Sequence, residues 1–64
     1  MQREGTPVAE IKVGDSFRHW AHGIVTVREK VEGIGRILLR LDTETGHTAD
    51  AYRPDARLRL IKEG

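Results

Sequence analysis

Three side chains close together in the sequence could carry recognition chemistry: His19, Trp20 and His22. Tryptophan is among the commonest anchors of protein interfaces, and histidine can stack on a partner or hydrogen-bond to it. These residues predict a contact patch at one turn of the chain. The alternative is that Trp20 covers the open end of a small barrel, because small domains often use their largest side chain in that way.

The spacing of His19 and His22 also raises the question of a metal site. Zinc needs three or four ligands, and the sequence offers only His47 and Asp50 as further candidates. The chain has no cysteine, so thiolate ligands and disulfides are excluded. We therefore predict neither a metal nor a cofactor.

A second candidate surface is basic. Four basic residues fall at positions that alternation assigns to the outside of two neighbouring strands: Arg28, Lys30, Arg36 and Arg40. They could form a stripe that meets phosphates or an acidic protein surface. The alternative is a solvated face, because Glu29, Glu32 and Asp42 lie close by in the sequence and ion pairs of this kind contribute little.

Apolar residues at positions assigned outward suggest an interface. Leu38 and Ile34 belong to this group, and Ile24 and Ile61 join it if they are exposed. A patch of this kind fits a partner protein or another copy of the chain. The alternative is an error of register, because a one-residue slip turns a whole strand over.

Residue types that support catalysis are sparse. Ser16 is the only serine, and it follows Gly14-Asp15, which is turn chemistry rather than a nucleophile elbow. Asp42, Glu44 and Asp50 are candidates for a carboxylate pair, but carboxylates without a cleft are usually loop residues. We predict that the chain is not an enzyme.

Length and composition set the outer bounds. A chain of 64 residues forms one domain at most, with roughly 60% of its unfolded surface buried. Eleven basic and ten acidic side chains leave a net charge of only +1, whereas a dedicated nucleic-acid binder usually has a clear basic excess. The polar start of the chain is not a signal peptide, and no apolar run reaches membrane-spanning length, so we expect a cytoplasmic protein.

Period-two alternation and β-branched residues predict five short strands. They cover residues 16–20, 24–32, 36–42, 48–52 and 58–61. Glycines mark the loops at residues 33–35 and 43–46, and Gly14-Asp15 marks a turn before the first strand. Val8 and Ile11 are spaced for a single helical turn. Pro54 suits the first position of a 3₁₀ turn before the last strand.

This regular spacing of strands predicts an all-β fold, a five-stranded SH3-like (Tudor-like) small barrel. Residues 1–7 would be a flexible leader and residues 8–62 the barrel domain. The expected core comprises Val13, Phe17, Val25, Val27, Val31, Ile37, Leu39, Leu41, Ala51, Leu58 and Leu60.

One segment supports a family resemblance. Val13-Gly14-Asp15, a strand, His22-Gly23 and a valine-rich strand follow one another. This order resembles the opening of the Tudor-like domain at the C-terminus of UvrD/PcrA-type helicases. It is also similar to the RNA-polymerase-interacting domain of the CarD and transcription-repair coupling factor family. The resemblance covers residues 11–61 and implies docking onto RNA polymerase or nucleic acid, but no functional residue is carried over.

The first functional hypothesis is a protein-interaction module that docks on bacterial transcription or nucleic-acid machinery. Its contact residues would be Trp20, His22, Arg36, Leu38 and Arg40. The second hypothesis is a nucleic-acid-binding barrel that uses the arginines of the central hairpin, Arg28 included.

Two distant alternatives complete the set. Residues 52–61 are loosely similar to the last strand of type II dihydrofolate reductases, which build an active site only as oligomers, but the Gln-Ile-Tyr run of those enzymes is missing. A methyl-lysine cage of the eukaryotic Tudor kind needs several aromatic residues on one rim. Phe17, Trp20 and Tyr52 are the only aromatics, and Phe17 is expected in the core.

Overall fold

The described part of the chain is mostly β-strand, as predicted. The computed structural model describes residues 5–61, and within them it contains six strands and one 3₁₀ helix. The strands are β1 (Thr6–Pro7), β2 (Ser16–His19), β3 (Gly23–Gly33), β4 (Arg36–Thr43), β5 (Gly46–Tyr52) and β6 (Arg57–Leu58). The helix spans Val8–Glu10. In this part of the chain no helix has the length and hydropathy that a membrane span requires.

The strands form two sheets rather than a closed barrel. Strands β2, β3, β4 and β5 make a four-stranded antiparallel sheet in that order, and β1 pairs with β6. The two sheets meet where Phe17 of β2 bridges to Leu60, and the Ile61 N–H donates to the Ser16 carbonyl at 2.7 Å. Strand β5 pairs only with β4 among the described residues, so one side of the structure stays open.

The central hairpin of β3 and β4 forms as predicted, and it supplies most of the core. Ile37, Leu39 and Leu41 of β4 lie on its inner face. Leu41 lies opposite Val27 of β3, and Val25 is buried two residues earlier on the same strand. These side chains are 3% exposed or less. Phe17 from β2 completes the predicted part of the core. The apolar residues at every second position, which identified the hairpin in the sequence, are therefore the residues whose side chains are buried.

A β-bulge changes the face of the second half of β3. Val27 pairs with Leu41 and Glu29 pairs with Arg40, so Arg28 is an extra residue. Past the bulge Lys30, opposite the buried Leu39, lies on the inner face, and Val31 turns outward and is 43% exposed. The predictions that Val31 lies in the core and that Lys30 points outward are both wrong, because strict alternation was carried through the bulge.

Other core predictions fail at the ends of strands. Val13 is 61% exposed in the turn before β2, and Ala51 lies on the outer face of β5 opposite Leu38. Leu58 and Leu60 pack against the core but are only half-buried. Val8 and Ile11, which sequence patterning left out of the core, are fully buried.

The 3₁₀ helix lies near the start of the chain, and not before the last strand as predicted. Residues 53–56 instead form one turn, closed by the Ala56 N–H donating to the Arg53 carbonyl at 3.0 Å. This turn then accepts from the helix, because the Val8 N–H donates to the Ala56 carbonyl at 2.7 Å. The Val8–Ile11 spacing noted in the sequence is that of this helix, since the Ile11 N–H donates to the Val8 carbonyl.

The other end of the helix is held by a lysine from the inner face of the sheet. The Lys30 Nζ donates to the carbonyl of Ala9 at 2.7 Å and to that of Ile11 at 3.0 Å. Carbonyls at a helix end need partners from outside the helix. The half-buried ammonium therefore ties β3 to the segment that covers the sheet.

The boundary of the leader differs from the expected one. Thr6 and Pro7, assigned to the leader, form β1 and pair with Leu58 and Arg57 of β6. Gly5 is in contact as well, since its carbonyl accepts from the Arg57 guanidinium at 3.0 Å. The rest of the predicted leader, residues 1–4, lies outside the described residues, as does Lys62 at the predicted end of the domain.

Two neighbouring leucines test which face of β4 is buried. Leu39→Ala removes a fully buried side chain and should cost about 2–5 kcal/mol, which is comparable to the whole stability of a domain of this size. Leu38→Ala, on the opposite face of the same strand, should cost at most about 1 kcal/mol. Urea unfolding monitored by circular dichroism measures both, and equal losses would mean that the register of β4 is wrong.

Candidate functional site

The open side of the sheet holds the most distinctive group of side chains in the molecule. We call it the seam cleft, a depression of about 390 Å³ between the end of β2 and the end of β5. Its lining consists of Phe17, Arg18, His19, Trp20, Asp50, Ala51, Tyr52 and Leu58. The only phenylalanine, tryptophan and tyrosine of the chain therefore share one cleft with a carboxylate.

A hydrogen bond between side chains crosses the seam where the backbone does not pair. His19 on β2 is 6% exposed, and its Nε2 lies 2.5 Å from the Asp50 Oδ2 on β5. The other ring nitrogen, Nδ1, accepts from the Ala21 N–H at 3.0 Å. An acceptor nitrogen carries no proton, so the ring is neutral and its Nε2 proton is donated to Asp50.

Trp20 stands at the rim of the cleft and faces solvent. It is 93% exposed, and its ring stacks on that of His19 with centroids 5.8 Å apart. His22, also exposed, packs on the other histidine with centroids 4.9 Å apart. The three residues thus form the cluster predicted from the sequence, and the alternative in which Trp20 closes the end of a barrel is wrong.

Tyr52 lies deeper in the cleft beside Asp50. Its hydroxyl donates to the Asp50 Oδ2 across 3.5 Å. Burial, the negative charge of Asp50 and the hydrogen bond to Asp50 together raise the pKa of Tyr52 to about 12, with burial the largest cause. Asp50 therefore accepts from two elements at once, from His19 across the seam and from Tyr52 on its own strand.

The outer face of the sheet carries three more of the predicted contact residues. Arg36, Leu38 and Arg40 alternate along β4, with both arginines exposed and Leu38 half-buried. Leu38 lies between Val31 of β3 and Ala51 of β5, so a short apolar row crosses three strands. Because Ala51 also lines the seam cleft, this row leads toward Trp20.

The predicted basic stripe is largely neutralised. The Arg40 Nε lies 3.0 Å from Glu29, and the Arg28 Nη1 lies 3.7 Å from Asp42. All four side chains are more than half exposed, so these pairs contribute little to stability. Lys30 is turned inward, so among the four residues of the stripe Arg36 is the one that is exposed and outside these ion pairs.

From the sequence alone, Asp50 is a remote candidate metal ligand and one of three carboxylates that could pair, and Tyr52 is only one of the few aromatic residues. Asp50 and Tyr52 point to the inner face because Leu39 and Ile37 lie opposite them. The signal that could have found them is the alternation Thr48, Asp50, Tyr52, which places a carboxylate on the same face as the buried leucines of β4. His47 lies on the outer face, away from His19, and residues 5–61 contain no group of three potential ligands placed for a metal.

No protein-family model, curated protein or solved structure matches this chain at a significant level. What the chain does is therefore inferred from its own geometry.

The exposure of Trp20 has a direct spectroscopic consequence. Since it is the only tryptophan, its fluorescence emission in the folded protein should match that of a free tryptophan amide, with acrylamide quenching nearly as efficient. Unfolding in urea should then shift the emission maximum little. A blue-shifted, poorly quenched emission would instead place Trp20 under other residues of the fold.

Tyr52 gives a titration without interference from other tyrosines. Its phenolate absorbance should appear with a midpoint near pH 12 in the folded protein, against about 10 in the denatured chain. The pKa of Tyr52 is higher in the folded than in the denatured chain. The contribution of Tyr52 to the free energy of unfolding is therefore fully present below pH 10 and is lost as the pH rises toward 12. Asp50→Asn should lower the folded midpoint, whereas Asp55→Asn, in an exposed turn, should leave it unchanged. An unchanged midpoint in Asp50→Asn would contradict the contact.

Proposed function

We propose that this chain is a non-catalytic binding module of the SH3-like (Tudor-like) kind that docks on a protein partner. Trp20 and His22 at the rim of the seam cleft, together with Leu38 and its neighbours on the outer face, would form the docking surface. The observation that carries the proposal is the exposure of Trp20. A lone tryptophan that the fold does not use for its own core is available to a partner.

The energetic argument rests on the area of that ring. Burying an aromatic side chain removes roughly 150–250 Å² from water, which at about 25 cal/mol per Å² corresponds to about 4–6 kcal/mol before the costs of association. Trp20 is 93% exposed in the free chain, so nearly all of this gain remains for a complex. Its stacking on His19, which is itself fixed by two hydrogen bonds, holds the ring in a defined direction.

The environment of the cleft supports binding over catalysis. Both nitrogens of His19 are engaged, one with Asp50 and the other with the Ala21 N–H, so the ring has no free position to act as a general base. The Ser16 hydroxyl lies on the outer face of β2, where it bonds to the Thr26 hydroxyl at 2.9 Å. Neither group is arranged to activate the other.

The SH3-like fold is part of the proposal. In its favour are the strand order β2-β3-β4-β5, the return of the last segment to β2 through Leu60, and the side-chain bond from His19 to Asp50 across the open seam. The resemblance to helicase Tudor-like domains and to the CarD and coupling-factor family then suggests the partner class. We propose bacterial transcription or nucleic-acid machinery, with RNA polymerase as the first protein to test.

Biolayer interferometry with purified bacterial core RNA polymerase tests the proposal. The wild-type chain should bind, and Trp20→Ala should weaken binding by at least about 30-fold, the loss typical of an interface hot spot. Ile34→Ser is the matched control, because Ile34 is a fully exposed apolar residue in a different turn. It should bind as the wild type does.

Salt dependence separates protein docking from phosphate binding. Contact through Trp20 and Leu38 should change little between about 50 and 200 mM salt, whereas a phosphate-binding surface loses affinity steeply. Anisotropy with duplex and single-stranded DNA or RNA gives the comparison. Nucleic-acid binding that survives in Trp20→Ala but is lost in Arg36→Ala would favour the nucleic-acid hypothesis. If polymerase does not bind at all, the proposed partner class is wrong.

A further inference from the structure

Two of the edge strands, β1 and β5, are protected very differently. Strand β1 is only two residues long and ends in Pro7, and both features block the addition of another strand. Strand β5 is seven residues long, carries no lysine, arginine or proline, and pairs on one side only within residues 5–61. We propose that a second copy of the chain pairs with this edge, β5 against β5, in an antiparallel dimer.

The direction of the backbone groups on β5 follows from hydrogen bonds on the far side of the sheet. The Val27 N–H donates to the Asp15 carbonyl, and the Val27 carbonyl accepts from the Gly14 N–H. Both groups of Val27 therefore point toward the β2 side of β3. Successive residues of a strand point to opposite sides, so Thr26 directs its groups toward β4 and its partner Asp42 directs them back.

The same alternation carries across β4 to β5. The backbone N–H and carbonyl groups of Asp42 point to β3, so those of Leu41 and Leu39 point to β5. The backbone groups of their partners on β5, Thr48 and Asp50, point to β4 in return. The residues between and beside these two have N–H and carbonyl groups that point to the open edge. They are His47, Ala49 and Ala51.

This edge is complementary to itself in one register. With Ala49 at the two-fold axis, it faces Ala49 of the second copy, and His47 faces Ala51 on both sides of the axis. All three edge-directed residues then form hydrogen-bonded pairs, each with two bonds. A shift of the register by two residues also sets edge-directed residues opposite each other. It leaves one of the three in each copy without a partner, so one hydrogen-bonded pair is lost.

Side chains agree with the centred register. Thr48 lies opposite Asp50 of the second copy, so the two carboxylates do not face each other, whereas a shift in one direction would set Asp50 against Asp50. Gly46 lies opposite Tyr52, so no second side chain crowds the tyrosine at that pair.

The second copy is therefore a better fit than an unrelated strand. The antiparallel dimer would join two four-stranded sheets into one continuous sheet. It would also satisfy the edge with the isologous symmetry that most homodimers show. The inference goes beyond the proposed function, because it uses the main chain of β5 and does not depend on a partner for Trp20.

Sedimentation equilibrium across a concentration series tests the dimer. Wild type should approach twice the 7.2 kDa chain mass at high concentration and dissociate on dilution. Ala49→Glu should remain monomeric, with an apparent dissociation constant raised at least about 10-fold, because it sets two carboxylates against each other at the axis. The new side chain lies opposite Arg40 within its own sheet, so the folded monomer should tolerate it. Ala9→Glu adds the same charge at an exposed position away from β5 and should dimerise normally.

Hydrogen exchange adds a readout that needs no substitution. The amides of His47, Ala49 and Ala51 should be protected at high protein concentration and exposed on dilution, while those of Thr48 and Asp50 stay protected throughout. A wild-type chain that remains monomeric up to about 1 mM overturns the proposal. So does a dimer that Ala49→Glu leaves intact, since it would use another surface.

Discussion

A hydrogen bond between two side chains crosses the open side of this small β-structure. His19 and Asp50 stand on the two strands that end the four-stranded sheet, and no backbone ladder joins those strands in the described part of the chain. A buried neutral histidine that is satisfied at both nitrogens can be accommodated without an unpaired charge. The bond also fixes the turn from which Trp20 projects, so the shape of the fold and the presentation of its most exposed aromatic residue depend on the same contact.

Much of the fold is visible in the sequence because alternation reports burial directly. The hairpin of β3 and β4 is marked by valines and leucines at every second position, and glycines mark its ends. Alternation fails at Arg28, where one extra residue reverses the face of everything that follows on β3. Nothing in the residue types around Arg28 announces a bulge, since a Val-Arg-Glu-Lys-Val run reads equally well without one. The positions of Lys30 and Val31 are therefore set by tertiary structure.

The candidate site was predicted in part. Trp20 and His22 are recognisable because their side chains are large or polar and lie at a turn, and the exposure of Trp20 then depends on how the sheet curls. Asp50 and Tyr52 join them only because β5 returns past β2 at a long sequence separation, which local patterning does not encode. The arginines were readable as outward residues, but their pairing with Glu29 and Asp42 depends on the bulge that brings these strands into register.

The contact of Lys30 with the 3₁₀ helix explains a choice of residue. The chain contains eight arginines and only three lysines, yet a lysine stands at position 30. A compact ammonium with three donors fits between the carbonyls of Ala9 and Ile11, whereas a planar guanidinium presents a wider, rigid fork. Lysine acetylation at an exposed site removes mainly a charge, but at Lys30 it would also leave one amide N–H in place of the ammonium that bonds to both carbonyls and fastens the N-terminal segment to the sheet. Acetylation of this one side-chain amine would therefore lower the stability of the fold.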